Sequence, residues 1–233
     1  MSETERSPRF PVYATGSTVS PRALIVLQEA FGVNDHIRDV ADRFADAGFF
    51  VAAPHLFHRS GAPEVPYDDV DRAKSLIAEL TAEGLTNDLN ATTDFLKSLG
   101  YGPSSIGVVG FCMGGSVALY AATLTSVGAA VTFYGGGVRA PRMGLAPLRE
   151  LAPNLKSPWL GLFGDLDAGI PIEDVEALRE AAARAPVSTD VVRYANAGHG
   201  FHCDARPAAY NEEAARDAFG RALDFFDEYL VAK

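Results

Sequence analysis

Residues 107–118 read GVVGFCMGGSVA and set a thiol, Cys112, inside Gly110-Phe111-Cys112-Met113-Gly114, with Gly115 following. The spacing is glycine, any residue, nucleophile, any residue, glycine. It suits a strained turn from strand to helix, where side chains at the flanking positions would collide with one element or the other. Such a turn lifts the nucleophile above a sheet and sets it at a helix N-terminus, where backbone N–H groups face developing negative charge. A thiol nucleophile needs a base, and the base needs an orienting carboxylate. The run GLFGDLDAGIP (161–171) supplies Asp165 and Asp167 just after a strand-like stretch. The run NAGHGFH (196–202) supplies His199 in a glycine-flanked loop, with His202 three residues on. A small buried residue in a glycine-rich turn gives the same local pattern as Cys112. The order nucleophile, acid, histidine, with glycines around the thiol and the histidine, favours chemistry. Glu29 closes the run ALIVLQEA, which otherwise reads as a buried strand. A carboxylate there must be paired, protonated or turned to solvent.

The elements that must hold these residues follow from the apolar pattern. Short apolar runs predict strands over 10–16, 23–30, 48–54, 104–111, 128–135, 157–164 and 188–196. Amphipathic stretches with Asn, Asp or Thr near their starts predict helices over 34–48, 68–81, 86–100, 113–125, 172–185 and 210–230. Residues 55–69 and 136–156 read as loops. Strands alternating with helices imply an α/β fold, a mainly parallel twisted sheet with helices on both faces. The nucleophile turn and the residue order are those of the α/β-hydrolase fold. The loop 136–156 is too short for a large lid domain. Residues 1–233 read as a single domain, with 1–9 as a flexible N-terminal tail.

Four motifs together, QEAFGVND (28–35), GFCMGG (110–115), FGDLDAGIP (163–171) and AGHGF (197–201), resemble the dienelactone hydrolase family. The tail RPAAYNEEAARDAFGRALDFF (206–226) extends the resemblance, which covers residues 20–230 in family order. The resemblance implies a Cys-Asp-His triad of Cys112, Asp167 and His199. Asp167 is taken over Asp165 because the family's Asp stands four residues before a proline, here Pro171. The family's Glu, here Glu29, contacts the cysteine and keeps it from ionising until substrate binds. Backbone N–H groups of Ala30 and Met113 are implied as the oxyanion hole. The activity implied is hydrolysis of activated esters or lactones, as by a carboxymethylenebutenolidase, through a thioester. A broad carboxylesterase or thioesterase on the same triad is the alternative, and a redox-sensing protein with Cys112 as the sensor is a more distant one. The family binds a substrate carboxylate through arginines, one of them four residues after the histidine. Cys203 stands at that place here, and Arg206 lies three residues further. Arg72 matches a second arginine, although Leu76 replaces the tyrosine expected beyond it. Arg72 and Arg206 are therefore the candidate substrate-binding residues.

The rest of the composition narrows the function. The chain has 233 residues, 48% hydrophobic and 21% charged, which is the balance of a globular protein. A net charge of −10 speaks against nucleic acid, because phosphate neutralisation needs clustered Lys and Arg. No stretch approaches the roughly 20 apolar residues of a membrane span. Two cysteines and a polar N-terminus predict free thiols in the cytoplasm. His55 and His58 repeat the H-x-x-H spacing of His199 and His202. No Glu completes an H-E-x-x-H helix, so neither a metal nor an organic cofactor is expected. The expected partner is a small ester or lactone, acting on a monomer or homodimer.

Overall fold

Runs of Val, Ile, Leu, Phe and Ala with no polar alternation bury both faces, which only the middle of a covered sheet permits. In the computed structural model, residues 10–124 and 127–233 are described, and seven strands form one sheet, with runs of this kind at its centre and half-buried strands at its two edges. The seven are β1 (Val12–Thr15), β2 (Arg22–Leu27), β3 (Phe49–Pro54), β4 (Ile106–Phe111), β5 (Ala129–Phe133), β6 (Trp159–Gly164) and β7 (Thr189–Tyr194). Their order across the sheet is β1-β3-β2-β4-β5-β6-β7. β1 runs antiparallel to β3, and all other neighbours are parallel. Every residue of β3, β4, β5 and β6 is buried.

The helices are α1 (Asp35–Asp46), α2 (Val70–Ala78), α3 (Ala82–Ser98), α4 (Met113–Ala122), α5 (Leu148–Leu151), α6 (Ile172–Ala182) and α7 (Glu212–Tyr229). Two glycines of β4 show that both faces are covered. A Cβ on Gly107 would stand 2.7 Å from the Phe226 ring of α7. Gly110 lies three residues on, hence on the other face, and a Cβ there would meet the backbone of α4. The fold is the α/β-hydrolase fold, and among the described residues it carries no large lid. No described helix is long and apolar enough to cross a membrane. The expected tail 1–9 and residue 125 of the expected 113–125 helix lie outside the described residues.

Several boundaries differ from the sequence reading. β2 stops at Leu27 rather than at residue 30, so Glu29 sits in the following loop. Just past the strand end, Gln28 Oε1 accepts the N–H of Leu56 at 3.0 Å. Helix α3 begins at Ala82 rather than at residue 86, because Thr81 caps it by accepting the Gly84 N–H at 3.0 Å. The expected loop 136–156 contains α5, whose Leu148 is buried in the core. Burial of that leucine overrides the Pro and Gly content around it.

A buried polar chain ties the sheet to α4. The indole N–H of Trp159 donates to Thr132 Oγ1 at 2.9 Å, and that hydroxyl donates to the Gly115 carbonyl at 2.8 Å. Replacing Thr132 with Val keeps the shape and strands both partners. Thr132→Val is expected to cost ~1–3 kcal/mol, read as a lower urea midpoint at unchanged slope. An unchanged midpoint would show that the chain contributes nothing to holding α4.

Candidate active site

Parallel strands deliver their C-terminal ends to one edge, where open α/β sheets bind ligands. Glu29 and Ala30 follow β2, Cys112 follows β4, Tyr134 follows β5, Asp167 follows β6 and His199 follows β7. Cys112 is itself the residue between β4 and α4, with φ +54° and ψ −117°. That left-handed backbone is unfavourable for a residue with a side chain. It persists because glycines let the neighbouring segments close over it. A Cβ on Gly110 would lie 1.9 Å from the Gly114 carbonyl oxygen. One on Gly114 would lie 2.4 Å from the carbonyl oxygen of Leu27, and one on Gly115 2.6 Å from that of Phe133. The Cys112 N–H donates to the Phe133 carbonyl at 3.0 Å, which pins the turn to β5.

The acid and histidine loops are locked together. Asp165 N–H donates to the Tyr194 carbonyl at 3.0 Å, and Leu166 N–H to the Ala197 carbonyl at 2.9 Å. Gly164 allows that approach, since a Cβ there would stand 2.2 Å from the Ala197 oxygen. Asp167 is buried, and its Oδ1 accepts the Gly169 N–H at 2.8 Å. Its Oδ2 faces His199 Nδ1 at 2.6 Å. His199 Nε2 lies 3.1 Å from Cys112 Sγ. Burial works against a charged imidazole here. The hydrogen bonds to Asp167 and Cys112 outweigh it and hold His199 at about 10, above its ordinary 6.5. Asp165 points elsewhere, in a two-pronged ion pair with Arg193 at 2.7 and 2.9 Å.

The other named residues are placed as follows. Glu29 is fully buried, and its Oε1 accepts the Tyr134 hydroxyl at 3.1 Å. No hydrogen bond joins Glu29 to Cys112 among the described residues. The Ala30 and Met113 N–H groups have no acceptor among the described residues. The loop of Ala30 packs on the first turn of α4, since Gly114 touches the Leu27 and Gln28 carbonyls. Arg206 is half-buried and lies over two rings, 5.6 Å from the centre of Phe31 and 5.5 Å from that of Tyr67. No carboxylate pairs with it among the described residues. Arg72 is exposed on α2, and no hydrogen bond or ion pair joins its side chain to this edge.

The histidines of the two H-x-x-H pairs separate. His58 pairs with Asp88 at 3.1 Å, beside the Arg59–Asp88 ion pair. His202 is buried against the Phe111 and Phe133 rings, and burial pushes it down to about 3, so it stays neutral. Two residues given no role by the sequence reading belong to this edge. Gln28 clamps the Ala30 loop to the chain after β3. Tyr134 stacks edge-on against His199 with ring centres 5.2 Å apart. Burial and then the Glu29 charge push its hydroxyl well up, so it remains a donor. A Tyr next to the β5 run carries no sequence signal that separates it from a core aromatic.

Comparison with known proteins agrees along nearly the whole chain. The sequence profile of the Dienelactone hydrolase family matches residues 10–230. A relative from Methylorubrum extorquens, provisionally named a carboxymethylenebutenolidase, is 37% identical over 213 residues, 90% of this chain and 72% of its own. The carboxymethylenebutenolidase of Rhodococcus opacus is 30% identical over 225 residues, 94% of this chain and 86% of its own. The crystal structure of a provisionally named dienelactone hydrolase from Klebsiella pneumoniae superposes with a TM-score of 0.83 at 32% identity, covering 94% of this chain and 93% of that one. With this fold, this residue order and these relatives, the chain belongs to the dienelactone hydrolase family.

Proposed function

We propose that the protein is a cysteine-dependent hydrolase of activated esters or lactones, of the carboxymethylenebutenolidase kind. The observation that carries this reading is the His199 ring, which spans Cys112 Sγ at 3.1 Å and Asp167 Oδ2 at 2.6 Å. In the proposed reaction the Cys112 thiolate attacks the substrate carbonyl. The oxyanion forms against the Ala30 and Met113 N–H groups. The leaving group, an enolate in a dienelactone, takes a proton from His199. A thioester on Cys112 remains. His199, oriented by Asp167, then draws a proton from water, which attacks the thioester and releases Cys112. Glu29 acts beside this set as the buried carboxylate that restrains Cys112 before substrate arrives. Arg206, which pairs with no carboxylate among the described residues, meets an anionic group of the substrate. The reading treats the chain as one domain working in the cytoplasm.

A thiolate is a good leaving group, so the tetrahedral intermediate reverts unless the other group leaves more readily. Aryl esters and enol-lactones are therefore expected to turn over, and simple alkyl esters poorly. Assays of p-nitrophenyl and ethyl esters check this, and equal rates would count against a cysteine nucleophile. Cys112→Ala is expected to abolish turnover and the initial burst. Arg206→Ala is expected to raise KM for a carboxylate-bearing lactone about tenfold to 100-fold, the worth of one charged hydrogen bond. It should leave a neutral aryl ester unaffected, and an equal change with both would remove the anion-binding role.

Asp167→Asn is expected to lower kcat by about 10²–10⁴-fold, the range of general acid–base catalysis. It also tests the charge coupling. His199 is held above its unfolded value, so its contribution to stability is fully present below about pH 6.5. That contribution is lost as the pH rises through about 10. An NMR titration of the His199 ring should show a midpoint well above 6.5 that falls in Asp167→Asn. The same variant should lose the alkaline decline in stability, and a midpoint that does not move would place the cause elsewhere.

A further inference from the structure

Glu29 in the loop after β2, His36 in the first turn of α1 and Cys203 beyond His199 come from three separate stretches and meet behind the catalytic edge. Their exposures are 1%, 4% and 0%. A carboxylate oxygen, a ring nitrogen and the sulfur all lie within 4.8 Å of one another. Each residue has one atom already engaged. Glu29 Oε1 accepts from Tyr134 at 3.1 Å. His36 Nδ1 pairs with Asp204 Oδ1 at 3.2 Å, and Asp204 is held in turn by Arg43. Cys203 Sγ lies 3.6 Å from the Tyr67 hydroxyl. Glu29 Oε2 and His36 Nε2 remain, both buried and both without a hydrogen-bond partner among the described residues. Unpartnered buried polar atoms are costly, and two in one cluster call for a ligand.

We propose that Glu29, His36 and Cys203 form a binding site for a divalent cation of the zinc class. Thiolate, imidazole and carboxylate are the donor types such a cation takes. One thiolate, one carboxylate and a neutral imidazole balance its double positive charge, so the buried site becomes neutral. The His36–Asp204 pair is the arrangement that orients a metal-bound histidine, with the far nitrogen left for the metal. Ligand atoms around tetrahedral zinc stand about 3.5 Å apart, given bonds of ~2.0–2.3 Å. The three ligand atoms, within 4.8 Å of one another, would close by about an ångström to reach that spacing. Burial, and then the Glu29 charge, push the Cys203 thiol up to about 11, so it holds its proton without a metal. Binding forms the metal–sulfur bond and releases that proton to solvent. His202 lies nearby with ring centres 6.2 Å from His36, and as a neutral ring it adds no positive charge against the cation. The site shares Glu29 with the proposed reaction, and its metal-binding readout is separate from turnover.

The test uses the full chain carrying Cys112→Ala, which leaves Cys203 as the one thiol and removes metal capture by Cys112 and His199. Co²⁺ is the probe, followed by displacement with Zn²⁺. One equivalent of Co²⁺ is expected to bind with a near-ultraviolet thiolate-to-cobalt charge-transfer band, and one equivalent of Zn²⁺ to abolish it. Asp204→Asn, at a partly exposed position, is expected to weaken binding about 10–100-fold through loss of the histidine's orientation. His36→Gln should weaken it further. A folded Cys112→Ala protein, by circular dichroism, that shows no band at saturating Co²⁺ overturns the proposal. So does a band whose affinity neither His36→Gln nor Asp204→Asn changes.

Discussion

The backbone at Cys112 is the constraint on which the rest of this edge depends. A residue with a side chain is held in a left-handed turn, and such turns cost of order 1–3 kcal/mol. The turn survives because three neighbouring positions have no Cβ. Gly110 and Gly114 bring β4 against the first turn of α4, and Gly114 and Gly115 bring that turn against β2 and β5. The contact that relieves one clash creates the next alignment. Closing Gly114 on the Leu27 and Gln28 carbonyls sets the Ala30 loop beside the helix N-terminus. Closing Gly115 on Phe133 sets Tyr134 beside His199. The chemistry proposed for the thiol therefore rests on backbone packing that reaches three strands.

Polar groups buried at the same edge do a second kind of work. Gln28, Tyr134 and Asp167 each make hydrogen bonds that fix a loop or a ring, and each is fully engaged in doing so. Glu29 is the exception, since one of its oxygens is satisfied and the other is idle. Half-satisfied buried groups lower stability and persist at sites where a ligand or a proton completes them. The carboxylate that the family resemblance connects to the cysteine is also a member of the cluster with His36 and Cys203. Glu29 thus stands between two clusters, and whatever occupies one alters the field at the other.

The central strands are legible because their apolar runs are continuous, and α1, α2 and α7 because Asn34, Asp69 and Asn211 cap their starts. The errors came where a tertiary partner moved a boundary. Gln28 and Glu29 continue an apolar run and so read as strand, yet β2 ends at Leu27 and Gln28 turns its side chain to Leu56 instead. Leu148 sits among prolines and glycines and so reads as loop, yet its burial makes a turn of helix. At the site, Cys112 and His199 carry glycine signatures because backbone must approach closely there. Asp165 and Asp167 carry equal local signals. Their separate roles come from Arg193 on β7 and His199 beyond it, partners that no nearby residue announces. His36 reads as one polar residue of an amphipathic helix, and only the fold brings it to Glu29 and Cys203.

The charge distribution bears on the anionic substrate group proposed for this acidic chain. Most arginines around the sheet are neutralised by carboxylates, Arg38 by Glu64, Arg59 by Asp88 and Arg193 by Asp165. Such pairs contribute little beyond their local geometry and leave the net charge of −10 to dominate at long range. Arg206 differs because aromatic faces hold it, not an acid. Rings favour a cation without cancelling its charge, so the guanidinium keeps its field and its donors. An anionic substrate would then be recognised only at close range, after the acidic surface has been passed. Attraction would be confined to the few ångströms around Phe31, Tyr67 and Arg206, on the same side as the His199 loop, where a Cβ added at Gly200 would stand 3.1 Å from the Arg206 guanidinium. On such a surface, the proposed selectivity for an anion would rest on one cation that pairs with no carboxylate among the described residues, held in place by two aromatic faces.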